Sequence, residues 1–141
     1  MAITQLSLFL MNQPGQLVDA VGAIAEAGAN LRAMSIAETN DFGILRVIVS
    51  DSDKVHDLLK DRFLVSKTQV VAARMDDRSG ALFPILKVLN EANINIEYMY
   101  AFTGTGPDEA YVVLRVNDVE TAEAVLNAGG ISTLSDENLK L

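Results

Sequence analysis

The sequence contains no cysteine and no tryptophan, and its one histidine is His56. The absence of cysteine excludes disulfide bonds, thiolate nucleophiles, iron–sulfur clusters and thiolate zinc sites. A single histidine also excludes sites that need two imidazole ligands, such as the H-E-x-x-H zinc motif. The groups left for binding or chemistry are carboxylates, amides, hydroxyls and the backbone.

Positive charge is also scarce. The sequence has 11 Lys and Arg residues and 19 Asp and Glu residues, which gives a formal net charge of −8. No basic cluster stands out, so we expect neither nucleic acid nor an anionic membrane surface as a partner. The first apolar stretch breaks at residues 12–15 and is too short for a signal peptide or a membrane span. We therefore expect a soluble, cytoplasmic protein.

The chain repeats itself. Half of its 141 residues are hydrophobic, which predicts a packed core. Residues 14–36 align with residues 79–101 at a constant shift, and the alignment pairs identical residues at six positions: Gly15/Gly80, Leu17/Leu82, Glu26/Glu91, Ala27/Ala92, Asn30/Asn95 and Met34/Met99. The sequence is a tandem duplication.

Each copy is predicted to follow the order strand, helix, strand, strand, helix, strand. Leu6, Leu8 and Leu10 alternate as in a strand with one face on a core. A helix with Leu17, Val21 and Ile24 on its apolar face then ends at Gly28. Further strands are predicted at residues 31–37, 44–49, 70–75, 96–102, 111–116 and 131–134.

The second helix of each copy is expected to begin at an aspartate, with Asp51 or Ser52 as the cap in the first copy and Asp118 in the second. The apolar face of the first of these helices is predicted to be Val55, Leu58 and Leu59. In the second copy, the strand at 96–102 is expected to carry Ile96, Tyr98, Tyr100 and Phe102 on one face.

This order predicts an α+β fold of two tandem ferredoxin-like βαββαβ units, residues 1–68 and 69–141. Each unit is an antiparallel sheet with its helices on one face. Residues 63–75 must hold the last strand of one unit and the first of the next, with no flexible linker. A unit of about 70 residues is marginal alone, so we expect the two units to pack together and the chain to form a homodimer.

Conventional catalytic motifs are absent, since the sequence has no P-loop, no G-x-S-x-G and no complete G-x-G-x-x-G. The glycine-rich residues 104–107 are interpreted as a turn between strands. His56 is interpreted as a solvated helix residue, and the Asp51/Asp53 and Asp76/Asp77 pairs as caps and loop residues rather than acid/base or metal sites. We expect no enzyme activity and no cofactor.

The loop before the first helix of each copy is the most informative feature, with NQPGQL at residues 12–17 and DRSGAL at residues 77–82. The first amides of a helix have no intrahelical partner and carry partial positive charge, which favours a carboxylate ligand. Asn12 and Asn30 lie 18 residues apart, and Asp77 and Asn95 repeat that spacing. The alternative interpretation is structural, with Asn12 capping the helix and Asn30 in a turn.

These residues resemble the ACT domain. The features that carry the resemblance are N-x-P-G-x-L at 12–17, the helix end EAGANL at 26–31, and the weaker copies at 77–82 and 93–96. The whole chain is similar to free-standing bacterial tandem ACT proteins. The resemblance implies a non-enzymatic regulator of amino-acid metabolism that binds a free amino acid, or a similar small carboxylate ligand, between ACT units.

In serine-sensing members of the family, an Asn of the loop motif and an Asn opening the second strand hold the effector, and Asn12 and Asn30 match them. Leu10 stands where those members carry His. The candidate ligand-binding residues are Asn12, Gln13, Pro14, Gly15, Gln16, Leu17, Asn30 and Leu31 in the first copy, and Asp77, Ser79, Gly80, Ala81, Leu82, Asn95 and Ile96 in the second.

Two other functions stay open at this point. One is an interaction module that docks on a metabolic enzyme and has no ligand of its own. The other is RNA binding, because this topology is shared with RNA-binding sheets and Tyr98, Tyr100 and Phe102 are able to stack on bases. The net charge of −8 disfavours RNA.

Overall fold

The structure is a computed structural model that describes residues 2–38, 41–104 and 108–139. The chain forms two compact units, one holding Thr4–Thr68 and the other holding Gln69–Asn138 together with Ile3. Each unit places two helices on an antiparallel sheet. The predicted α+β, ferredoxin-like fold is confirmed.

The N-terminal unit has its strands in the order β2-β3-β1-β4, so that β2 lies at the edge. Its last strand, β4, is 13 residues long. The elements are β1 (Ile3–Met11), α1 (Gln16–Glu26), β2 (Leu31–Glu38), β3 (Phe42–Val49), α2 (Ser52–Leu59) and β4 (Leu64–Asp76).

The core of this unit lies between one face of the sheet and both helices. Leu6 and Leu8 of β1 are fully buried and belong to the same cluster as Ile24 of α1 and Leu59 of α2. The predicted placement of Leu6 and Leu8 on the core is therefore confirmed. The expectation that only one face of β1 is buried is wrong, because Gln5 and Ser7 are buried as well. The prediction for Leu58 is wrong, because its side chain is 51% exposed. Adjacent helical residues point about 100° apart, so burying Leu59 turns Leu58 outward.

The C-terminal unit has the strand order β4-β6-β5, with β5 at the edge. The predicted end strand at residues 131–134 is wrong in extent. A single bridge joins Thr133 to Ala73, and the chain then enters a short 3-10 helix at Asp136–Leu139. The other elements are α3 (Leu82–Glu91), β5 (Ile96–Thr103), β6 (Glu109–Val116) and α4 (Val119–Ala128).

A bulge at the start of β5 changes which side chains share a face. Ile96 pairs with Val116, whereas Tyr98 pairs with Arg115, so Glu97 is an extra residue between them. Ile96 packs against the core beneath the helices. The expectation that Ile96 and Tyr98 share a face is therefore wrong, because a bulge shifts the alternation by one residue.

The second helix of each unit begins at the predicted aspartate. Asp51 accepts a hydrogen bond from the amide of Lys54 at 3.3 Å, and Asp118 accepts one from the amide of Thr121 at 3.1 Å. The four α-helices have 8 to 11 residues. No helix in the described part of the chain is long and apolar enough to cross a membrane.

Candidate ligand-binding site

The loop between β1 and α1 is held in shape by its own backbone. The amide of Gln13 donates to the carbonyl of Met11 at 2.8 Å, and the amide of Gln16 donates to the carbonyl of Gln13 at 3.3 Å. Gly15 then occupies the position just before the helix with φ of 92°, which glycine adopts without strain. The glycine is therefore required by the turn itself.

The equivalent loop of the C-terminal unit forms the same turn. The amide of Arg78 donates to the carbonyl of Asp76 at 2.9 Å, and the amide of Ala81 donates to that of Arg78 at 3.3 Å. Gly80 has φ of 82°. Two sequences that share only a glycine and a leucine over these six positions thus adopt one backbone conformation.

The first helix of each unit lacks the side-chain cap that the second helix has. Among the residues that the structure describes, no side chain accepts a hydrogen bond at the start of α1 or of α3. The alternative in which Asn12 caps α1 is therefore wrong, because the helix begins three residues further on, after Gly15. Within the described residues, the amides of Gly15, Leu17 and Val18 donate no hydrogen bond. These amides carry the positive end of the helix dipole.

A cleft of about 470 Å³ opens beside this loop, within the N-terminal unit. Its walls come from the end of β1, the loop, the start of α1 and the end of the β2–β3 hairpin. The lining residues are Leu10, Met11, Asn12, Gln13, Gln16, Leu17, Ile36, Glu38 and Gly43. The volume is in the range of small-molecule sites.

The cleft combines three kinds of surface. Leu10, Leu17 and Ile36 supply aliphatic walls, and Asn12, Gln13 and Gln16 supply side-chain amides. Glu38 is the one carboxylate among the lining residues, and no lining residue is cationic. An apolar pocket with a few convergent polar groups is typical of a binding site for a small polar molecule.

Two of the predicted residues lie far from this cleft. Asn30 precedes β2, and its backbone exchanges hydrogen bonds with Ser50, at the opposite end of β2 from Glu38. The strand from Leu31 to Glu38 spans roughly 23 Å. Leu31 packs against the core. Asn12 and Asn30 are therefore not part of one site within this unit.

The predicted residues of the second unit do not line one common cleft. Asp77, Ser79 and Gly80 are exposed in the loop, and Leu82 packs against the core. A smaller cleft of about 230 Å³ lies under this loop, and Ala81 is the one predicted residue that lines it. Asn95, like Asn30, is held at the far end of its strand, where its amide donates to Asn117 at 3.1 Å, and Ile96 follows it there.

The acidic pairs have structural partners. Lys67 donates a 2.6 Å hydrogen bond to Asp53, which lowers the pKa of Asp53 and raises the pKa of Lys67. Asp76 faces Arg78 at 3.4 Å. Within the described residues no cluster of three or more acidic or histidine side chains is arranged to hold a metal ion.

His56 is less solvated than predicted. Its Nδ1 atom is buried without a hydrogen-bond partner among the described residues, 3.5 Å from the carboxylate of Asp57. In the C-terminal unit, Phe102 stacks on Tyr111 with 5.2 Å between ring centroids. Burial and a hydrogen bond to Glu109 raise the pKa of Tyr111. Residues 105–107 of the predicted turn lie outside the described residues.

Five residues of the N-terminal cleft were not among the predicted site residues: Leu10, Met11, Ile36, Glu38 and Gly43. Their place follows from strand register, since Met11 pairs with Phe42 and Gly43 pairs with Glu38. The ferredoxin-like strand order places β1 beside β3. The predicted fold could therefore have indicated that these five residues lie near the loop.

The comparisons with known proteins agree with this fold. A family model of the ACT domain pair matches residues 1–141. The crystal structure of protein BT0572 from Bacteroides thetaiotaomicron is 39% identical, with a TM-score of 0.91, over 99% of this chain and 96% of that chain. No curated protein sequence matches.

Two more distant structures share the fold. The regulatory subunit of aspartate kinase from Thermus thermophilus is 14% identical with a TM-score of 0.64, over 89% of this chain and 91% of that one. E. coli aspartokinase III, in complex with aspartate and ADP, is 20% identical with a TM-score of 0.57, over 91% of this chain and 31% of that one. The duplicated fold, the repeated loop and the match over the whole sequence lead to one conclusion: the chain belongs to the ACT domain pair family.

Proposed function

We propose that this chain is a non-catalytic regulatory protein that binds a free amino acid in the cleft beside the β1–α1 loop. Residues 1–68 and 69–141 are its two ACT units. The observation that carries the proposal is a cleft of about 470 Å³ beside the start of α1, whose lining includes Leu17, a residue whose amide donates no hydrogen bond within the described residues.

The ligand carboxylate binds at the start of α1. The amide of Leu17, which lines the cleft and donates no hydrogen bond within the described residues, and the positive end of the helix dipole favour an anion there. Gly15 has no heavy atom within 4 Å of the position that a Cβ would take, so a ligand is able to approach its backbone closely.

The ligand ammonium group binds near Glu38. This carboxylate lines the same cleft, and a neutral or anionic cleft without a lysine or arginine suits a cation. The amide oxygens of Asn12, Gln13 and Gln16 are further acceptors. A free amino acid has one carboxylate and one ammonium group, and the cleft has groups able to bind each of them.

The ligand side chain lies against Leu10, Leu17 and Ile36. These aliphatic walls favour an aliphatic amino acid over a charged one, because burying an unpaired charge there is costly. A ligand of this size binds with a Kd in about the micromolar to millimolar range.

The second loop is a further candidate within the same proposal. Its Asp77, Ser79, Gly80, Ala81 and Leu82 repeat the backbone turn, but the cleft beneath it is half as large. Asp77 replaces Asn12 and places a carboxylate where the ligand anion would approach. We therefore propose that the N-terminal unit is the one that binds the ligand first, at the lower ligand concentration.

Regulation requires that the occupied cleft be sensed by another molecule. We propose that the protein functions as a homodimer and that its regulated partner is a metabolic enzyme. The exposed apolar residues of α1 and β2, with Val18 69% and Ile36 54% exposed, support a second candidate function, a docking module without a ligand.

A thermal-shift screen of the full chain against the twenty amino acids tests the proposal. A ligand at about one hundred times its Kd stabilises the fold by about 2.7 kcal/mol, which raises the melting temperature by several degrees. We expect the largest rise with an aliphatic amino acid. If none of the twenty raises the melting temperature at 10 mM, about ten times the upper limit of the expected Kd range, the docking module replaces the sensor.

A further inference from the structure

The last segment of the C-terminal unit is held to its sheet by few bonds. Residues 132–138 follow α4, and we call them the C-terminal strap. A single bridge joins Thr133 of the strap to Ala73 of β4, and the amide of Leu134 donates to the carbonyl of Ala72 at 2.9 Å. A segment with so few backbone bonds to its neighbour opens at a lower free energy than the strands of the core.

The N-terminal unit has a complete strand at the equivalent place. The chain leaves the second helix of each unit with the same bond, since the amide of Phe63 donates to the carbonyl of Leu59 and the amide of Ile131 donates to that of Leu126, both at 2.9 Å. After Phe63 the N-terminal unit forms β4, which is the neighbour of β1 in the sheet. After Ile131 the strap forms only its one bridge.

The two units differ in the side chain that follows two residues later. In the N-terminal unit Val65 packs against the core. In the C-terminal unit this residue is Thr133, which pairs with the fully buried Ala73. The Thr133 hydroxyl is 3.4 Å from a carboxylate oxygen of Glu123 and 3.5 Å from the side-chain oxygen of Asn127, and both distances are long for hydroxyl hydrogen bonds. An aliphatic side chain would gain more from burial at this position than threonine does.

The N-terminal unit also links its strand to its second helix by an ion pair. Lys67 of β4 donates a 2.6 Å hydrogen bond to Asp53, in the first turn of α2. The C-terminal unit has the equivalent acid, because Glu120 lies exposed in the first turn of α4. The strap has Ser135 where β4 has Lys67, and within the described residues Glu120 is in no ion pair.

We propose that an extended, basic segment of a partner protein displaces the C-terminal strap and pairs with the edge of β4 at residues 72–74. This segment carries an aliphatic residue in place of Thr133 and a Lys or Arg two residues later, as Val65 and Lys67 do in the N-terminal unit. The strap is then an autoinhibitory strand. Its release frees the amide of Arg74, which donates to the carbonyl of Ser132 at 2.8 Å, for the incoming strand.

The charge of this surface favours a basic partner. Neither α4 nor the strap contains a Lys or Arg, and their carboxylates are Glu120, Glu123, Asp136 and Glu137. A surface that carries charge of one sign attracts a segment of the opposite sign and disfavours an acidic one. This inference rests on the regulated partner of the proposed function and names the surface that the partner contacts. It does not depend on the amino-acid cleft.

Two synthetic peptides test the docking site on the full chain. The probe, RFLVSKTQ, has the sequence of residues 62–69 and carries Val65 and Lys67 in their own spacing. The control, RFLTSSTQ, has Thr and Ser at these two positions, as the strap does. Binding is followed in ¹H–¹⁵N NMR spectra, up to about 5 mM peptide. We expect the probe to shift the amide of Arg74 in a saturable way and the control to bind about tenfold more weakly.

Variants of the strap test the displacement. Leu134→Pro removes the amide that bonds to Ala72, so we expect the probe to bind this variant about tenfold more tightly than the wild type. Thr133→Val gives the strap the side chain of the N-terminal strand, and we expect weaker binding of the probe. Circular dichroism checks the folding of both variants. If Leu134→Pro does not fold, the comparison of the wild type with Thr133→Val decides.

A charge variant tests the pairing with α4. Glu120→Gln is expected to weaken binding of the probe about threefold to tenfold, whereas Glu91→Gln, on α3, is expected to bind like the wild type. No binding to a folded Leu134→Pro variant, equal affinity for the two peptides, or equal affinity of the wild type and the folded strap variants overturns this inference and leaves the amino-acid cleft unaffected. A thermal-shift screen without any amino-acid effect overturns the sensor and leaves this docking site unaffected.

Discussion

The amide of Asn12 donates a 3.1 Å hydrogen bond to the carbonyl of Asp41, which fastens the β1–α1 loop to the β2–β3 hairpin. The equivalent bond of the second unit runs from the amide of Asp77 to the carbonyl of Asp108 at 2.8 Å. Glu38, which pairs with Gly43 across the same hairpin, lines the cleft beside this loop. The loop and the two strands of the hairpin thus form the walls of one cleft.

Glu38→Gln tests the assignment of the ammonium site. The variant keeps the shape of the cleft and removes its one carboxylate, so we expect amino-acid affinity to fall by about tenfold, in line with the loss of one charge-assisted hydrogen bond. Isothermal titration calorimetry measures this. Glu91→Gln, an exposed glutamate of the second unit, is the control and is expected to bind like the wild type. Equal affinity in both variants would contradict the assignment.

Gly15→Ala and Gly80→Ala form a matched pair. Both glycines have positive φ and no heavy atom near the added Cβ, so each substitution costs about 1 kcal/mol through backbone strain. We expect similar losses of stability in urea unfolding, but a loss of ligand affinity in Gly15→Ala alone. A Gly80→Ala variant that loses affinity as strongly would move the site to the second unit.

The cap of α4 makes stability depend on pH. Hydrogen bonds from Thr121 lower the pKa of Asp118 below its ordinary value. Its contribution to stability is therefore fully present above the ordinary aspartate pKa and is lost as the pH falls through the lower pKa of the folded state. We expect Asp118→Asn, which keeps a capping side chain, to reduce the fall in melting temperature between pH 5 and pH 3. If the melting temperature of the variant falls as much as that of the wild type, the pH dependence does not come from Asp118.

The core of the N-terminal unit is tested with Leu8→Ala. Leu8 is fully buried in the cluster between sheet and helices, so we expect a loss of about 3 kcal/mol in the free energy of unfolding. Leu64→Ala removes the same atoms from a side chain that is 71% exposed, and we expect a change within about 0.5 kcal/mol. Urea unfolding of both variants distinguishes the two positions.

Much of the fold follows from the sequence because the pattern is local and occurs twice. The alternation of Leu6, Leu8 and Leu10, the aspartate caps and the glycine at each loop are features that a single segment defines. The candidate loop follows from the same local pattern, since the first amides of a helix have no intrahelical partner.

The remaining differences depend on tertiary context. A bulge at Glu97 moves Ile96 to the opposite face, and no local pattern distinguishes a bulge from regular alternation. Gln5 and Ser7, which alternation places on the outward face of β1, are buried, and Gln5 donates a 3.0 Å hydrogen bond to Ser7. Glu38 joins the cleft through strand register, which the sequence of β2 alone does not contain.

The most direct test of the amino-acid site is a titration followed by backbone amide resonances in ¹H–¹⁵N NMR spectra of the full chain. Addition of the amino acid that stabilises the fold most is predicted to shift the amides of Gly15, Leu17 and Val18 in a saturable way, ahead of those of Gly80 and Leu82. Saturable binding that leaves the three N-terminal amides unmoved would contradict the account.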